Sequence, residues 1–507
     1  MKKQEWTRRE AFRATGAAAA LLGTQASART RNSPNLYTRI GVKPFINLTA
    51  TYTINGGALT LSQVKRAMDE ASRYSVNLDE LMEKVGARIA GLLGSEAAIV
   101  TSGCAAALAH ATAAAVAGAD PERMQQLPDL RGMRDRIIMP RQSRNQYDHA
   151  FRSVGVKIIE VDTPEEFHSA LNDRVALVAV LGTGEPKGKI RLEEIVTAAR
   201  KTGIPVVVDA AAELPFTPNA YLSRGADLVA YSGGKFLRGP QCAGLLLGRK
   251  DLVQAAWLNS SPHHAFGRSM KVGKEEIMGM LAALEVWKNS YNLQAEYKTW
   301  EGWFRSIAQA VTKIDGVSTR TLPPAGASPF PVMEVSWDAG RVGLTAGEIG
   351  RQLLEGEPRI MSHAEGEGSS FIIRPVAMQP SDYKIVSNRL AHILGNAPKP
   401  AEKVIEPPAI DVSGAWRVTI EFIRGSAEHR LELAAAGAEL KGTHFGVSGK
   451  GEVRGSVQGA TVRFRTAIPC EGSRLPYRFT GTAQKDRMSG DLELGEYGRA
   501  RWSAVRA

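Results

Sequence analysis

Through the middle of the chain, short apolar runs alternate with helix-length segments. The runs are Ala97-Ala-Ile-Val-Thr101, Ile137 to Met139, Val156 to Val161, Val175 to Leu181, Val206 to Val208, Leu228 to Tyr231 and Ala243 to Gly248. Each is too short for a helix and is bounded by turn residues, which predicts strands buried on both faces. Stretches such as Leu192 to Lys201 lie between them, so the pattern predicts a mostly parallel α/β sheet of seven strands with helices on both faces. Upstream, Asn77-Leu-Asp-Glu80 has helix-start chemistry, and Leu81, Val85, Ile89 and Leu92 recur at helical spacing. Ile40 to Gly57 is too rich in turn residues for a long helix and is expected to lie as an arm across the body.

The period changes after Asn396. Pro398, Pro400, Pro407 and Pro408 mark a stiff linker, and short alternating segments follow, punctuated by Gly425, Gly437, Gly442, Gly455, Gly459, Gly481, Gly490 and Gly495. About eight strands fit between Trp416 and Trp502, predicting an all-β, lipocalin-like up-and-down barrel. The expected organisation is a leader over 1–28, a large domain with its arm over 36–290, a small domain over 291–396, a linker over 397–410 and the barrel over 411–507. The leader rests on Thr7-Arg-Arg-Glu-Ala-Phe12, a mildly apolar Ala14 to Gly23 and a small-residue site at Ala26-Ser-Ala28. That order reads as twin-arginine export to the periplasm or beyond. Its apolar part is too short to span a bilayer and nothing else in the sequence qualifies, so no stable membrane association is expected.

Composition narrows the function classes. Three cysteines in 507 residues, Cys104, Cys242 and Cys470, are too few and scattered for a disulfide framework. The formal charge is +12, but no long Lys/Arg run or aromatic-basic interleaving points to nucleic acid. A basic surface could attract anionic substrates, but a solvated charged face accounts for it without a ligand. Gly182-Thr-Gly-Glu-Pro-Lys-Gly188 follows a strand, yet its third glycine is misplaced and Pro186 interrupts it, which argues against a dinucleotide loop. His263-His264 sits in a Ser-Pro loop and reads as structural, so no metal is expected.

Three features would fall together at the carboxyl ends of the predicted strands, where such sheets bind ligands. Lys235 lies in the glycine-framed Tyr231-Ser-Gly-Gly-Lys-Phe-Leu-Arg-Gly-Pro240, a lysine that a flat ligand can reach and whose amine can attack a carbonyl. Asp209 ends the run Ile204-Pro-Val-Val-Val-Asp, where a carboxylate can hold a pyridine nitrogen protonated. Ser102-Gly-Cys opens an alanine-rich helix whose free N–H groups suit a phosphate dianion. Pyridoxal 5'-phosphate needs all three. Each alone is a common turn or cap.

Together these blocks, with Ile46-Asn-Leu-Thr-Ala-Thr-Tyr-Thr, Leu78-Asp-Glu-Leu, Val208-Asp-Ala-Ala-Ala-Glu-Leu-Pro215 and Ser232-Gly-Gly-Lys-Phe-Leu-Arg-Gly-Pro-Gln241, resemble the fold-type I pyridoxal-phosphate enzymes. The resemblance runs from about Leu36 to Leu394 and is closest to the branch of selenocysteine synthase (seryl-tRNA selenium transferase) and D-glucosaminate-6-phosphate ammonia-lyase. It implies that Lys235 carries the cofactor, that Asp209 pairs with its ring nitrogen, and that Ser102, Gly103, Cys104 and Ser232 hold its phosphate. Tyr147 or His149 would stack on the ring, with Thr183 and Glu213 lining the cleft. Arg374, in Phe371-Ile-Ile-Arg-Pro375, would take the substrate carboxylate, with Tyr52 and Glu213 also toward substrate. Arg268 would reach a neighbour's cofactor in a homodimer. The expected reaction is α,β-elimination on a hydroxylated amino acid or amino-sugar acid of D-glucosaminate type. Selenium transfer is set aside because an export leader stands in place of an amino-terminal tRNA-binding domain. Racemase, aldolase or transaminase chemistry uses the same lysine, and a non-catalytic protein whose barrel binds glycans is the rival from another class.

Overall fold

The computed structural model describes residues 34–399 and 406–507. The expected leader over 1–28 lies outside the described residues, as do residues 400–405 of the expected linker. The chain divides into two compact units. One takes the residues up to Thr49 with Glu301–Thr321 and Met333–Lys399, and the other takes Ala50–Trp300, Leu322–Val332 and the chain from 406 onward.

Strand β1 (Phe45–Asn47) belongs to the first unit. The seven predicted strands follow in the second as β2 (Ala97–Thr101), β3 (Arg136–Pro140), β4 (Lys157–Val161), β5 (Val175–Leu181), β6 (Val206–Asp209), β7 (Leu228–Ser232) and β8 (Gly244–Gly248), in the spatial order β2-β8-β7-β6-β5-β3-β4. Every pairing is parallel except those of β8, which runs antiparallel to both β2 and β7. The runs are apolar because both faces are covered: β6 and β8 have no exposed position. Against the sheet packs the helix Cys104–Ala117, buried at all but Ala105 and Ala115. A helix buried all round must be apolar all round, and alanine lets it approach closely.

The helix Leu78–Leu93 starts where expected: the Asn77 side chain accepts N–H bonds from Asp79 and Glu80. Its buried stripe is Met82, Val85, Ile89 and Leu93, displaced by one position at each end from the expected Leu81 and Leu92, which are half-buried at its edge. Gly86 brings the stripe hard against the backbone of Ala98.

In the first unit, β9 (Val317–Leu322), β10 (Val332–Trp337) and β12 (Ser370–Ile373) form a three-stranded sheet, and β11 (Arg359–Met361) pairs in parallel with β1. Residues 45–49 are therefore no free arm. Ile46 and Leu48 alternate inward at 0% exposure and pack in one core with Phe304, Val335, Leu353 and Leu390.

The carboxyl-terminal eight strands close into an antiparallel barrel: β13 (Gly414–Glu421), β14 (Ser426–Ala436), β15 (Glu439–Phe445), β16 (Lys450–Gln458), β17 (Thr461–Cys470), β18 (Ser473–Gln484), β19 (Arg487–Glu493) and β20 (Arg499–Arg506). Pairing of β13 with β20 leaves no strand edge. Trp416, Phe464, Phe479 and Trp502 fill the interior. Only some of the glycines read as punctuation lie at turns. Gly442, Gly455, Gly481 and Gly490 sit within strands, and Gly481 faces Gly490 in register beneath the Trp502 ring, where a Cβ would not fit.

Candidate active site

At the carboxyl ends of β6 and β7 lies a cavity of about 530 Å³ lined by Ser102, Gly103, Cys104, Tyr147, Asp209, Ser232 and Lys235. Three separate sequence blocks meet there because parallel strands all end on the same side. A second cavity of about 470 Å³, bordered by Glu96, Asp227 and Arg249, lies at the opposite strand ends. Its polar groups satisfy one another: Arg249 Nη1 donates to Asp227 at 2.9 Å, and Asp227 accepts the Val206 N–H at 2.8 Å. Among the described residues, no lysine, cysteine or histidine lines it.

Lys235 sits in a turn tied down on both sides. The Gly233 N–H donates to Ala243 O and the Gly239 N–H to Gly233 O, both at 2.8 Å. At Gly234 a Cβ would collide with Gln241, so only glycine fits there. The next residue, Phe236, is 1% exposed and packs edge-on against Trp287 and Phe330, while Trp287 Nε1 donates to Leu237 O at 2.6 Å. The lysine thus projects from an anchored turn. Its Nζ lies 5.5 Å from the centroid of the Tyr147 ring. Tyr147 is half exposed, an aromatic face open to a flat ligand.

Asp209 is 7% exposed and ends β6. It accepts the Ala211 N–H at 3.0 Å, and the Cys104 thiol faces its Oδ1 at 3.6 Å. Burial pushes this carboxyl's pKa up, with the Ala211 N–H and the Lys235 charge pulling the other way. The Cys104 thiol is pushed well up by burial and then by Asp209, so it is a neutral donor. A buried acid left so under-compensated calls for a cationic or N–H partner.

Gly103 precedes the helix Cys104–Ala117 with φ +87°, a conformation that favours glycine, and no side chain caps that helix start. Its first-turn N–H groups are open toward the cavity beside the Ser102 and Ser232 hydroxyls. The donor set therefore fits pyridoxal phosphate: an amine for the aldehyde, a buried carboxylate for the ring nitrogen, an aromatic face for the ring and an uncapped helix start for the phosphate.

The other predicted residues fall elsewhere. His149 is exposed at the head of the short helix His149–Arg152, and does not line the cavity. Thr183 is half-buried beyond β5, outside the lining. Glu213 lies behind it, accepting the Tyr221 hydroxyl at 2.7 Å, with its pKa raised by burial. The arm contributes Thr53, with Tyr52 outside the lining, and the loop after the His pair contributes Ser269, Met270 and Lys271, with Arg268 just outside. Gln241 also lines it, with a buried Oε1 that has no partner among the described residues. These were missed in the sequence because nothing in their type or spacing marks them, although Gln241 closes the lysine block. His263 is structural: it bonds the carbonyls of Trp257 and Ser260 and lies 3.1 Å from Asp79. Among the described residues no cluster of three or more His, Cys, Asp or Glu could hold a metal. Arg374 belongs to the other unit. Its N–H donates to Leu48 O at 3.0 Å, and no carboxylate pairs with its guanidinium among the described residues.

Residues 26–255 match the family described as Cys/Met metabolism PLP-dependent enzyme. The chain is similar to a D-glucosaminate-6-phosphate ammonia lyase of Salmonella typhimurium, 28% identical over 72% of this chain and 99% of that one. It is 30% identical to a 5'-C-glycyluridine monooxygenase-decarboxylase of Streptomyces, over 74% of this chain and 96% of the relative. An L-seryl-tRNA(Sec) selenium transferase of Proteus mirabilis matches at 24% over 58% of this chain and 66% of its own. Among solved structures, one of D-glucosaminate-6-phosphate ammonia-lyase superposes with a TM-score of 0.64 over 72% of this chain and 99% of that one, at 28% identity.

Proposed function

Because this chain belongs to the fold-type I pyridoxal-phosphate enzymes, in the branch of the ammonia-lyase and the selenium transferases, we propose that it is a lyase acting by α,β-elimination on a hydroxylated amino acid or an amino-sugar acid of D-glucosaminate type. The observation that carries this reading is the match to the ammonia-lyase over 99% of that chain in sequence and structure alike. When bound, the cofactor supplies an electron sink for the charge that develops at the substrate's α-carbon.

In this reading the chain's own residues do the rest. Lys235 Nζ would hold the cofactor and would serve as the base that accepts the substrate's α-proton. Asp209 holds a proton at the ring nitrogen, with its burial keeping the pair strong. Ser102, Ser232 and the N–H groups of Gly103 and Cys104 bind the phosphate. Tyr147 would cover the ring. The α-proton and β-hydroxyl leave as water, and water taken up at the amine-bearing carbon releases ammonia and a keto acid.

The test is to mix the cofactor-loaded protein with D- and L-β-hydroxy amino acids and D-glucosaminate, with and without a 6-phosphate, while following ammonia and keto acid. Equal yields of both support the proposal. Glycine with an aldehyde, or inverted substrate alone, would replace it with an aldolase or a racemase. The similarity to the monooxygenase-decarboxylase favours a second reading, oxidative decarboxylation of an amino acid carried on a larger group. It would register as oxygen uptake with carbon dioxide release.

We further propose that the enzyme is an exported homodimer. The Arg8-Arg9 leader supports export, and the exposed Leu36, Tyr37, Ile40 and Ile54 support association. Export unaffected by exchange of both arginines for lysine would refute the first, and a monomeric mass in solution the second.

A further inference from the structure

One turn of the barrel reaches the loop that carries Tyr147. The turn joins β17 to β18, with Cys470 paired to Ser473 and Glu471-Gly472 between them. Glu471 Oε2 lies 2.8 Å from Arg144 Nη2 and 4.0 Å from Arg152 Nε. Gly472 packs so closely on the Asn145 carbonyl and the Asp148 carboxylate that a Cβ there would collide with both. These contacts bracket Tyr147. The Tyr147 N–H donates to Asn145 Oδ1 at 2.7 Å, and the Asp148 N–H donates to Asn145 O at 3.1 Å.

The cluster beneath is well buried. Asp148, whose side chain is 0% exposed, receives Arg144 Nε at 2.7 Å and Arg152 Nε at 3.1 Å. Arg144 is 13% exposed and also meets Glu160 at 3.3 Å. On its other side the loop is fixed to the sheet, where Ser143 Oγ accepts the Leu181 N–H at 3.0 Å. Glu471 itself has φ +51°, a left-handed conformation disfavoured for a residue with a Cβ. That conformation is what the first position of a two-residue hairpin turn requires.

We infer that the β17–β18 turn of the barrel, through Glu471 and Gly472, is a positioning element for the cofactor site, holding the 144–152 loop so that Tyr147 stands over Lys235. The barrel thereby acts as an intramolecular brace on the catalytic sheet. Glu471 is a positioning residue, acting through Arg144 and Asp148. The inference rests on Lys235 being the cofactor lysine.

The test uses the full chain and two readouts, hydrogen exchange of the cofactor-free protein and spectral titration with pyridoxal phosphate. Glu471→Gln removes the charge, and Gly472→Ala displaces the turn without removing any charge. Each should speed exchange across 144–152 by about threefold and weaken cofactor binding by a similar factor, the scale of a partly exposed ion pair. The barrel strands should keep wild-type protection. Glu452→Gln, which breaks the exposed barrel pair with Arg454, should change neither readout. Wild-type exchange across 144–152 in either variant would overturn the inference, as would a loosened loop with unchanged cofactor affinity. A wild-type protein that takes up no cofactor overturns the reading of Lys235 as well, so the two failures are distinct.

Discussion

The sheet and the barrel both bury polar side chains, but they aim them differently. At the end of the parallel sheet, Asp209, Lys235 and Ser102 converge on an open cavity, and the acid is held with too few donors. Inside the barrel, His429 Nδ1 and His444 Nε2 face each other at 2.8 Å, with the rings of Tyr477 and Phe479 edge-on to His444. The cause is topological. Parallel strands end on one side, so their loops and helix starts all deliver groups to the same place. Antiparallel strands end alternately on opposite sides, and a closed barrel offers its interior only every second side chain. Buried polarity can do chemistry in the first arrangement and mostly packs in the second.

The strongest way to break this contrast is at the sheet. Lys235→Ala should abolish the visible absorbance of bound cofactor and any label fixed by borohydride, and lower turnover by at least about 10³-fold. A variant that keeps the label would place the attachment elsewhere. Asp209→Asn comes next. Breaking a buried charge pair costs about 3–5 kcal/mol, so cofactor affinity or turnover should fall by about 10²- to 10³-fold, read by titration and steady-state rate. Wild-type values would mean that this buried acid is as passive as the barrel histidines.

The placement of the sheet's polar groups was legible in the sequence because each part had a local signature: Lys235 in its glycine frame, Asp209 at the end of a valine run, Ser102 before an alanine helix. Their convergence also followed, since strand direction alone puts them at one end. The barrel's strand number was legible from period-two alternation, but not its in-strand glycines, because a Cβ at Gly481 would meet the Ser489 backbone and the Trp502 ring, and one at Gly490 the backbone of Thr480 and Gly481, all contacts across the strand pairing. Non-local contact likewise hid the pairing of β1 with β11, separated by more than half the chain. It also hid which of Tyr147 and His149 lines the cavity, which depends on how a short turn presents its neighbours. The contact of Glu471 with Arg144 left no trace in either segment, since any surface pair of opposite charges looks the same before folding.

The smallest effect tests whether the two regions differ under acid. Burial, and then the neighbouring His429, push the pKa of His444 down to about 3, against 6.5 when it is free. As pH falls below about 6.5 the unfolded chain therefore takes up a proton that the folded barrel refuses, so stability is full above neutrality and is lost as pH falls toward about 3. From these two values the loss reaches about 2 kcal/mol by pH 5. In the sheet region burial lowers His110 to about 4, which acts with the same sign. There, however, the raised carboxyls of Asp209 and Glu213 oppose it, because a folded acid that binds protons more readily gains stability as pH falls. The cofactor-free protein should thus lose exchange protection in the barrel strands before β5 to β8 between pH 7 and pH 5, above the range in which a depressed carboxyl such as Glu193, at about 2, titrates. His444→Gln should flatten the barrel's acid limb and leave that of the sheet unchanged, whereas His110→Leu should do the reverse. Equal loss of protection in both regions, or an acid limb in the barrel that His444→Gln leaves undiminished, would show that these buried histidines do not set the difference.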